Sequence, residues 1–323
     1  MSRLLVLILL GTLVVGTGCK ETDPAWRMTL VGASPGGAWS AIGEAITDEL
    51  RRGIPRSAFT LEPGQDGANA SIVQARKAEM GLVHSSIALA ALKGDFPFST
   101  PHPDIRSIML IYADAPFHFI VDQRSGVQSF EQIRAQRLPL RISVNTRGSL
   151  MELATRTVLE AYSIGYDDIR EVGGTILFYP FTPSYEAMKR RRLDAIGTTV
   201  QVPSRHAIEA SRNLELNILP LSKEAIDFAN QRLGTDTATI LGNSYPFMEE
   251  DIPTFAGRVI LTVQSNLPDQ QVYLITQLLH DRLEQLRRAH RSLQRLTPTT
   301  MPLVGGVPLH PGAERFYREI GVL

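Results

Sequence analysis

The sequence predicts an α/β protein with two lobes, each a parallel sheet flanked by helices. Met28 to Ala33 has the apolar character of a buried strand, a glycine loop follows, and apolar residues then recur at helical spacing. The strand–loop–helix order repeats, which is typical of βαβ units and of a parallel sheet with helices on both faces. Two similar strand–loop–helix openings, near residues 34 and 146, indicate two α/β lobes.

Each predicted element rests on its local pattern. Ser129, with Gln132 three residues later, predicts the capping-box start of a short helix. The longest helical pattern covers residues 267–295, and shorter ones cover 69–78 and 149–162. Apolar runs predict the remaining strands at 58–62, 80–83, 105–112, 117–121, 140–144, 194–198, 216–219 and 259–263.

Residues 1–19 have the three parts of an export signal. A positive start containing Arg3 precedes the apolar run from Leu4 to Val15, and small residues lead to Cys19. The run is shorter than the ~20 apolar residues that a spanning helix needs. Its end at Cys19 resembles a bacterial lipoprotein signal, in which the cysteine takes up lipid and becomes the mature N-terminus. Gly16 stands where such signals usually carry Leu, so ordinary cleavage and an uncleaved anchor are the alternatives. All three place the rest of the chain outside the cytoplasm, after a short tether over residues 20–26.

Composition excludes several classes of function. The formal net charge is zero, which argues against a general polyanion binder and hence against nucleic acid as a partner. Cys19 is the one cysteine, so neither a disulfide framework nor a thiolate metal site is possible. The seven histidines form no close-spaced ligand pair. We therefore expect no metal and no cofactor.

Patterns of catalytic residues are missing as well. Ser149 follows Gly148, but the second glycine of a nucleophile elbow is not there. The loop from Ser34 to Gly37 lacks the ending of a phosphate loop and the spaced glycines of a dinucleotide turn. We predict that the protein is not an enzyme.

Three loops carry the features of an anion-binding site. Each joins the end of a strand to the start of a helix, where N–H groups without an intrahelical partner lie beside a partial positive charge. Small residues in such loops let an anionic group approach the backbone. The sequence thus predicts a bound carboxylate, although glycines that turn the chain and serines that cap helices would give the same pattern. The loops are Ser34 to Trp39, His84-Ser85-Ser86 and Arg147-Gly148-Ser149.

Several segments together resemble one known family. Residues 33–43, ASPGGAWSAIG, resemble the first loop of the TAXI solute-binding proteins of TRAP transporters. The segment 79–85, EMGLVHS, resembles the same family, as do residues 127–133 and 148–161. The C-terminal segment 310–317, HPGAERFY, matches a signature of that family. The resemblance covers about residues 27–323 in the right order.

This resemblance implies a periplasmic binding protein with the two-lobed venus-flytrap fold. Crossing strands would act as a hinge, with residues 27–114 and 245–323 in lobe 1 and residues 115–244 in lobe 2. Such a protein captures a small carboxylate, an amino acid or an organic acid, and delivers it to a TRAP-type membrane permease. The family's ligand contacts fall on Gly36, Gly37, Ala38, Trp39, His84, Ser85, Gly148, Ser149, Thr198 and Thr199.

The sequence departs from the family pattern at the predicted site. Ala38 and Trp39 replace a threonine and a tyrosine, and His84 replaces an amide, which adds a group that changes charge near neutral pH. Arg147 stands where the family often has a non-basic residue; it is a candidate partner for a carboxylate or a solvent-facing side chain. The alternatives to transport are a sensor that presents its ligand to a membrane receptor and an extracytoplasmic α/β enzyme.

Overall fold

A computed structural model describes residues 26–33 and 38–323. The predicted export signal with its lipidation site Cys19 lies outside these residues, and so do Gly36 and Gly37 of the first glycine loop. None of the helices in the described ranges has both the length and the apolar character needed to cross a membrane.

Strands and helices alternate along the chain. The strands are β1 (Trp26–Val31), β2 (Ser57–Glu62), β3 (Met80–His84), β4 (Ile105–Asp122), β5 (Arg141–Ser143), β6 (Thr175–Leu177), β7 (Ala195–Thr199), β8 (Leu216–Ile218), β9 (Asp236–Ile240) and β10 (Ile252–Gln264). The α-helices are α1 (Ala38–Gly53), α2 (Asp66–Gln74), α3 (Ser85–Lys93), α4 (Phe130–Gln136), α5 (Leu150–Ala161), α6 (Tyr166–Glu171), α7 (Phe181–Lys189), α8 (Arg205–Ser211), α9 (Lys223–Leu233), α10 (Asp269–Asp281), α11 (Leu283–Ala289) and α12 (Pro311–Glu319).

Pairing of the strands confirms the predicted α/β class. Their order is β2-β1-β3-β10-β4-β7-β5-β6, with β8 beside β4 and β9 beside β10. β1 is parallel to β2 and β3, and β5 is parallel to β6 and β7. Parallel neighbours need a crossover connection, and helices such as α1 and α5 supply it.

The two parallel groups lie in two lobes of one mixed α/β fold. The first lobe holds β1 to β3 with α1 to α3, and α10, α11 and α12 return to pack on it. The second lobe holds β5 to β9 with α4 to α9. β4 and β10 pair antiparallel with each other; β10 also pairs with β3 of the first lobe and β9 of the second, and β4 pairs with β7 and β8 of the second. They are therefore the structural connection between the lobes.

β4 corrects one sequence prediction. The sequence predicted separate strands at 105–112 and 117–121, whereas the structure has one strand of 18 residues, ~60 Å long at the usual rise. The intervening residues remain in the ladder because Ala115 and Pro116 pair with Gly257 and Ala256. Pro116 has no N–H to donate, but its carbonyl oxygen accepts a hydrogen bond from Val200 N at 3.2 Å. β10 is likewise longer than its predicted segment 259–263.

The C-terminal helical prediction was partly wrong. The predicted helix over 267–295 is two helices, α10 and α11, separated at Arg282, whose φ of −98° and ψ of 16° depart from helical values. The strands β6 and β9 had not been predicted; β6 has only three residues, and three of the five residues of β9 are polar. The predicted helix start at Ser129 is confirmed, since its hydroxyl accepts from Gln132 N.

Aromatic side chains join the connecting strands to each other and to the second lobe. Phe117 on β4 stacks on Phe255 of β10, with ring centroids 5.2 Å apart. Phe119 packs on Phe130 of α4, which in turn stacks on Tyr162. Because Phe117 and Phe119 are almost completely buried, the middle of β4 is held in a packed core.

A buried histidine on β4 sets a condition for stability in acid. His118 has no solvent exposure, and its Nδ1 and Nε2 lie 2.8 Å and 2.9 Å from Pro116 O and the Tyr245 hydroxyl. Burial lowers the pKa of His118 from 6.5 to about 4, against a smaller opposing effect of the bond to Pro116. The folded protein therefore holds this side chain neutral.

We expect His118 to make the protein less stable as the pH falls from 6.5 to about 4. In this interval the unfolded chain binds a proton that the folded chain excludes, so the free energy of unfolding decreases. The full difference of about 2.5 pKa units corresponds to roughly 3 kcal/mol. Urea unfolding at a series of pH values should show a smaller decrease for His118→Gln. His280→Gln, on the partly exposed surface of α10, is the control, and equal pH slopes in all three proteins would contradict the prediction.

Candidate functional site

An aromatic group lies where α1 and β3 meet β4. Trp39, the second residue of α1, donates a hydrogen bond from Nε1 to the Tyr112 hydroxyl at 2.8 Å. The ring of Trp39 also contacts His84, with centroids 5.0 Å apart and planes tilted by 48°. Burial raises the pKa of Tyr112 well above its ordinary range, so the phenol stays protonated and keeps a hydrogen to donate. Two residues predicted from the sequence, Trp39 and His84, are thus brought together, whereas Tyr112 had not been predicted.

His84 is held by a carboxylate at the start of α2. Asp66 is the first residue of α2. Its Oδ1 accepts from His84 N at 2.9 Å, and its Oδ2 lies 2.8 Å from His84 Nδ1. Both side chains are nearly buried, so this pair lies in a site with little access to water. The interaction orients the imidazole beside Trp39.

Asp66 also reaches the second lobe. Its Oδ2 accepts a hydrogen bond from Leu150 N, the first residue of α5, at 3.3 Å. The next residue, Gly67, lies close to the Gly148 carbonyl, since a Cβ built on Gly67 would be 3.5 Å from that oxygen. A carboxylate of the first lobe thus occupies the N-terminus of a helix of the second lobe, where the helix dipole favours a negative charge.

A second contact between the lobes lies beside this one. Pro97 of the first lobe would be 3.0 Å from a Cβ added to Gly148, a position with a φ of 74°. The guanidinium of Arg156 on α5 lies 4.9 Å above the ring of Phe96. We call the surface where the lobes meet the seam; it is formed by Asp66, Gly67, Phe96 and Pro97 of the first lobe and Gly148, Leu150 and Arg156 of the second.

The start of α5 uses its own side chains to satisfy its backbone. Ser149 is the N-cap, and its hydroxyl accepts from Glu152 N at 3.3 Å. Glu152, which has no solvent exposure, accepts from Gly148 N at 3.2 Å and pairs with Arg156 at 2.6 Å. Gly148 and Ser149 were predicted as ligand contacts; the structure places Gly148 in the seam and Ser149 between Gly148 and Leu150, with Glu152 as a partner that had not been predicted.

Arg147 contacts an aromatic side chain of the second lobe. Its Cζ lies 3.9 Å above the ring of Phe178, a cation–π geometry. The exposed Arg147 lines a cavity of about 220 Å³ that also includes Arg156, Tyr166 and Arg170. This position keeps both predicted alternatives open, a partner for an anion and a solvent-facing side chain.

Buried hydroxyls without a hydrogen-bond partner lie near the ends of two strands, β3 and β7. Ser85 and Ser86 open α3 directly after β3, and Thr198 lies near the end of β7. All three are at least nine-tenths buried, and their hydroxyl oxygens have no hydrogen-bond partner in the described ranges. His84, the N-cap of α3, gives no side-chain cap, because its imidazole pairs with Asp66. The start of α3 therefore has unused hydrogen-bonding capacity, which buried polar groups rarely have.

The remaining predicted residues are less closely connected. Ala38 is the exposed first residue of α1. Thr198 and Thr199 lie on β7 opposite His118 and Phe117 of β4. Gly36, Gly37 and Cys19 lie outside the described residues.

Sequence reasoning missed Asp66, Tyr112 and Glu152. For Glu152 there was a local signal: a Glu three residues after Ser149 forms the capping-box pattern already used at Ser129. Asp66 and Tyr112 had no such signal, because their partners lie 18 to 84 residues away.

A larger cavity lies on the other face of β10. Gly257 faces the seam, since a Cβ there would be 2.5 Å from Leu150 Cδ2. The next residue, Arg258, points the opposite way, as side chains on a strand alternate, and it pairs with Asp236 at 2.6 Å. Arg258 lines a cavity of about 590 Å³ with the C-terminal segment 302–307. Within the part of the chain that the structure describes, no group of three or more His, Cys, Asp or Glu side chains could hold a metal ion.

Loss of Glu152 should destabilise the second lobe. Glu152→Ala leaves Gly148 N–H and the Arg156 guanidinium without their partner, and we expect the free energy of unfolding to fall by about 1–3 kcal/mol. Glu160→Ala removes a partly exposed carboxylate of the same helix, 3.4 Å from Arg232, and should cost less than about 1 kcal/mol. Urea denaturation of the two variants measures the difference, and equal losses would show that the buried partners of Glu152 do not matter.

Comparison with known proteins assigns the fold and the family. MatC from Rhodopseudomonas palustris with bound malate superposes with a TM-score of 0.56 at 13% identity, over 91% of this chain and 99% of that chain. A TctC solute binding protein from Polaromonas gives 0.51 at 17% identity over 94% and 100%. PhnD1 from Prochlorococcus marinus, in complex with methylphosphonate, gives 0.55 at 9% identity over 92% and 99%.

These likenesses confirm the predicted two-lobed fold of periplasmic binding proteins. At the level of sequence, residues 30–321 match the model of the NMT1-like family, which covers almost all of the described chain. The chain therefore belongs to the NMT1-like family.

Proposed function

We propose that this protein is an extracytoplasmic solute-binding protein that captures a small carboxylate between its two lobes. In this proposal it belongs to the TAXI group and delivers an amino acid or an organic acid to a TRAP-type permease. The fold and the family support a binding protein, and the neighbours MatC and PhnD1 hold small oxyanions, malate and methylphosphonate. The protein binds its ligand without turning it over.

The observation that carries the proposal is the start of α3. Its first N–H groups have no intrahelical partner, and the buried hydroxyl of Ser86 has no protein partner in the described ranges. The Ser85 hydroxyl also lacks a partner, but it lies toward Gly305 in the cavity on the other face of β10. A carboxylate is an acceptor with two oxygens and suits such a set of donors. The aromatic group of Trp39, His84 and Tyr112 lies next to it and offers apolar surface for the rest of a small ligand.

The mechanism of capture follows from the connecting strands. We propose that the lobes divide in β4 near residue 115 and in the segment 245–256 that leads into and through the start of β10. A rotation there would separate Asp66 from Leu150 and open the seam to solute. Closure restores the contacts across the seam and removes the ligand from water. The closed form is the state that a permease would recognise.

Binding should depend on the α3 serines. The thermal shift of residues 20–323 is measured with a panel of amino acids, hydroxy acids and keto acids, and at least one of them should stabilise the protein. At a concentration of 100 times its Kd, such a ligand adds ~2.7 kcal/mol to the free energy of unfolding. Ser86→Ala should weaken that ligand about 10- to 100-fold, since it removes a hydrogen bond to a charged group. Ser85→Ala should have a smaller effect, because the Ser85 hydroxyl lies toward Gly305.

Ser222→Ala provides the matched control for those serine variants. Ser222 caps α9, with its hydroxyl accepting from Ala225 N at 3.2 Å. Its loss should lower stability by about 1 kcal/mol while leaving affinity unchanged. Unchanged affinity in Ser86→Ala, or no stabilisation by any member of the panel, would count against the proposal.

Location should depend on Cys19. We propose that lipid on the Cys19 thiol anchors the mature chain to the membrane surface, which would raise its concentration beside the permease. Expressed in a bacterial host, the full-length protein should then fractionate with membranes, and Cys19→Ala should move it to the soluble periplasmic fraction. Lys20→Ala is the control. Membrane association of Cys19→Ala would instead indicate an uncleaved anchor, and mass spectrometry of the N-terminal peptide distinguishes lipidation from ordinary cleavage.

A further inference from the structure

The N-termini of α3 and α5, which lie nearest the seam, differ in how many of their hydrogen-bonding groups already have a partner. At α3 the hydroxyls of Ser85 and Ser86 are buried without a partner in the described ranges. At α5 the N–H groups of Gly148, Leu150 and Glu152 already donate to Glu152, Asp66 and Ser149. Two of these three acceptors are carboxylates of the protein itself.

Asp66 is the acceptor that the first lobe contributes. Its Oδ2 lies 2.8 Å from His84 Nδ1 and 3.3 Å from Leu150 N, so one oxygen joins the start of α3 to the start of α5. Its Oδ1 is held by His84 N at 2.9 Å. The side chain is 11% exposed, and these contacts fix it across the seam.

From this geometry we infer that Asp66 takes the place of a second ligand carboxylate and restricts the site to ligands with one anionic group. The inference rests on the proposed function, in which α3 holds a ligand carboxylate. A ligand with two carboxylates would bring its second charge toward the start of α5. There it would meet Asp66 on the N–H of Leu150, and like charges at such distances in a site with little water disfavour each other.

The nearby cations do not offset this repulsion at the seam. His84 already pairs with Asp66 itself. Arg156 pairs with the buried Glu152, and Arg147 lies over Phe178; both arginines also line the cavity that includes Arg170. A second carboxylate would therefore have to displace Asp66 from both His84 and Leu150. Malate, the ligand named for MatC, belongs to the class that this site disfavours.

Matched ligand pairs test the inference directly. In each pair an amide replaces one carboxylate: glutamine and glutamate, asparagine and aspartate, succinamate and succinate, malamate and malate. In isothermal titration calorimetry with the wild-type protein, we expect one of these pairs to bind. Its monocarboxylate member should bind with a Kd at least 100-fold lower than that of its dicarboxylate partner. Equal or tighter binding of the dicarboxylate would overturn the inference while leaving the proposed function intact.

Variants of Asp66 then test whether its charge causes the discrimination between monocarboxylates and dicarboxylates. Asp66→Asn keeps the size of the side chain and an acceptor for Leu150 N but removes the charge, so the difference within a pair should fall to tenfold or less. Asp66→Ser is a second variant should the first fold poorly, as judged by circular dichroism. Asp48→Asn, an exposed carboxylate of α1 that pairs with Arg51, makes the same charge change away from the seam and should leave discrimination unchanged. Discrimination that persists in a folded Asp66 variant would overturn the role of Asp66.

The outcomes separate the inference from the proposed function. Binding of neither member of any pair, and of no other monocarboxylate in the panel, would contradict the carboxylate function and the inference together. Binding of both members with similar affinity would contradict the inference alone.

Discussion

The antiparallel pairing of β4 with β10 is the constraint on which the rest of the structure depends. These strands carry the connection between the lobes: β10 pairs with β3 of the first lobe and β9 of the second, and β4 pairs with β7 and β8 of the second. The stacked rings of Phe117 and Phe255 hold them together at the point of crossing. The pairing has register shifts between Gly257 and Val259 and again further along, which fits a ladder that bends between two sheets. Everything at the seam takes its position from this pair of strands.

The seam is held mainly by polar contacts of modest strength. The hydrogen bond from Leu150 to Asp66 is long, at 3.3 Å, and the contact of Phe96 with Arg156 is a partly exposed cation–π interaction. Interactions of this size are small beside the burial of the aromatic core in either lobe. Separation of the lobes at the seam would therefore cost little compared with unfolding either lobe, as the proposed mechanism of capture requires.

Local patterns predicted the fold well, and long-range contacts decided the site. The strand–loop–helix repeats, the cap at Ser129 and the helix start at Ser149 all follow from residues within one or two turns of each other. The continuity of β4 through Pro116 could not be predicted locally, because it depends on pairing with a strand about 140 residues later. The same reason hid Asp66, whose partner Leu150 is 84 residues away in the sequence. Trp39 and His84 were predicted through family resemblance, and the sequence alone did not show that their rings would meet.

Gly257 has a consequence for how far the molecule can close. A methyl group at this position would lie 2.5 Å from Leu150 Cδ2, so the approach of α5 to β10 relies on the missing side chain. The missing side chain at residue 257 thus allows α5 of the second lobe to approach β10 this closely. The same glycine lies beside the proposed site, since a Cβ there would also be 3.9 Å from His84 Cδ2, and the N–H of Leu150 donates to Asp66. In the proposed mechanism of capture, a side chain at residue 257 would therefore disturb both the approach of the lobes and the residues that select the ligand.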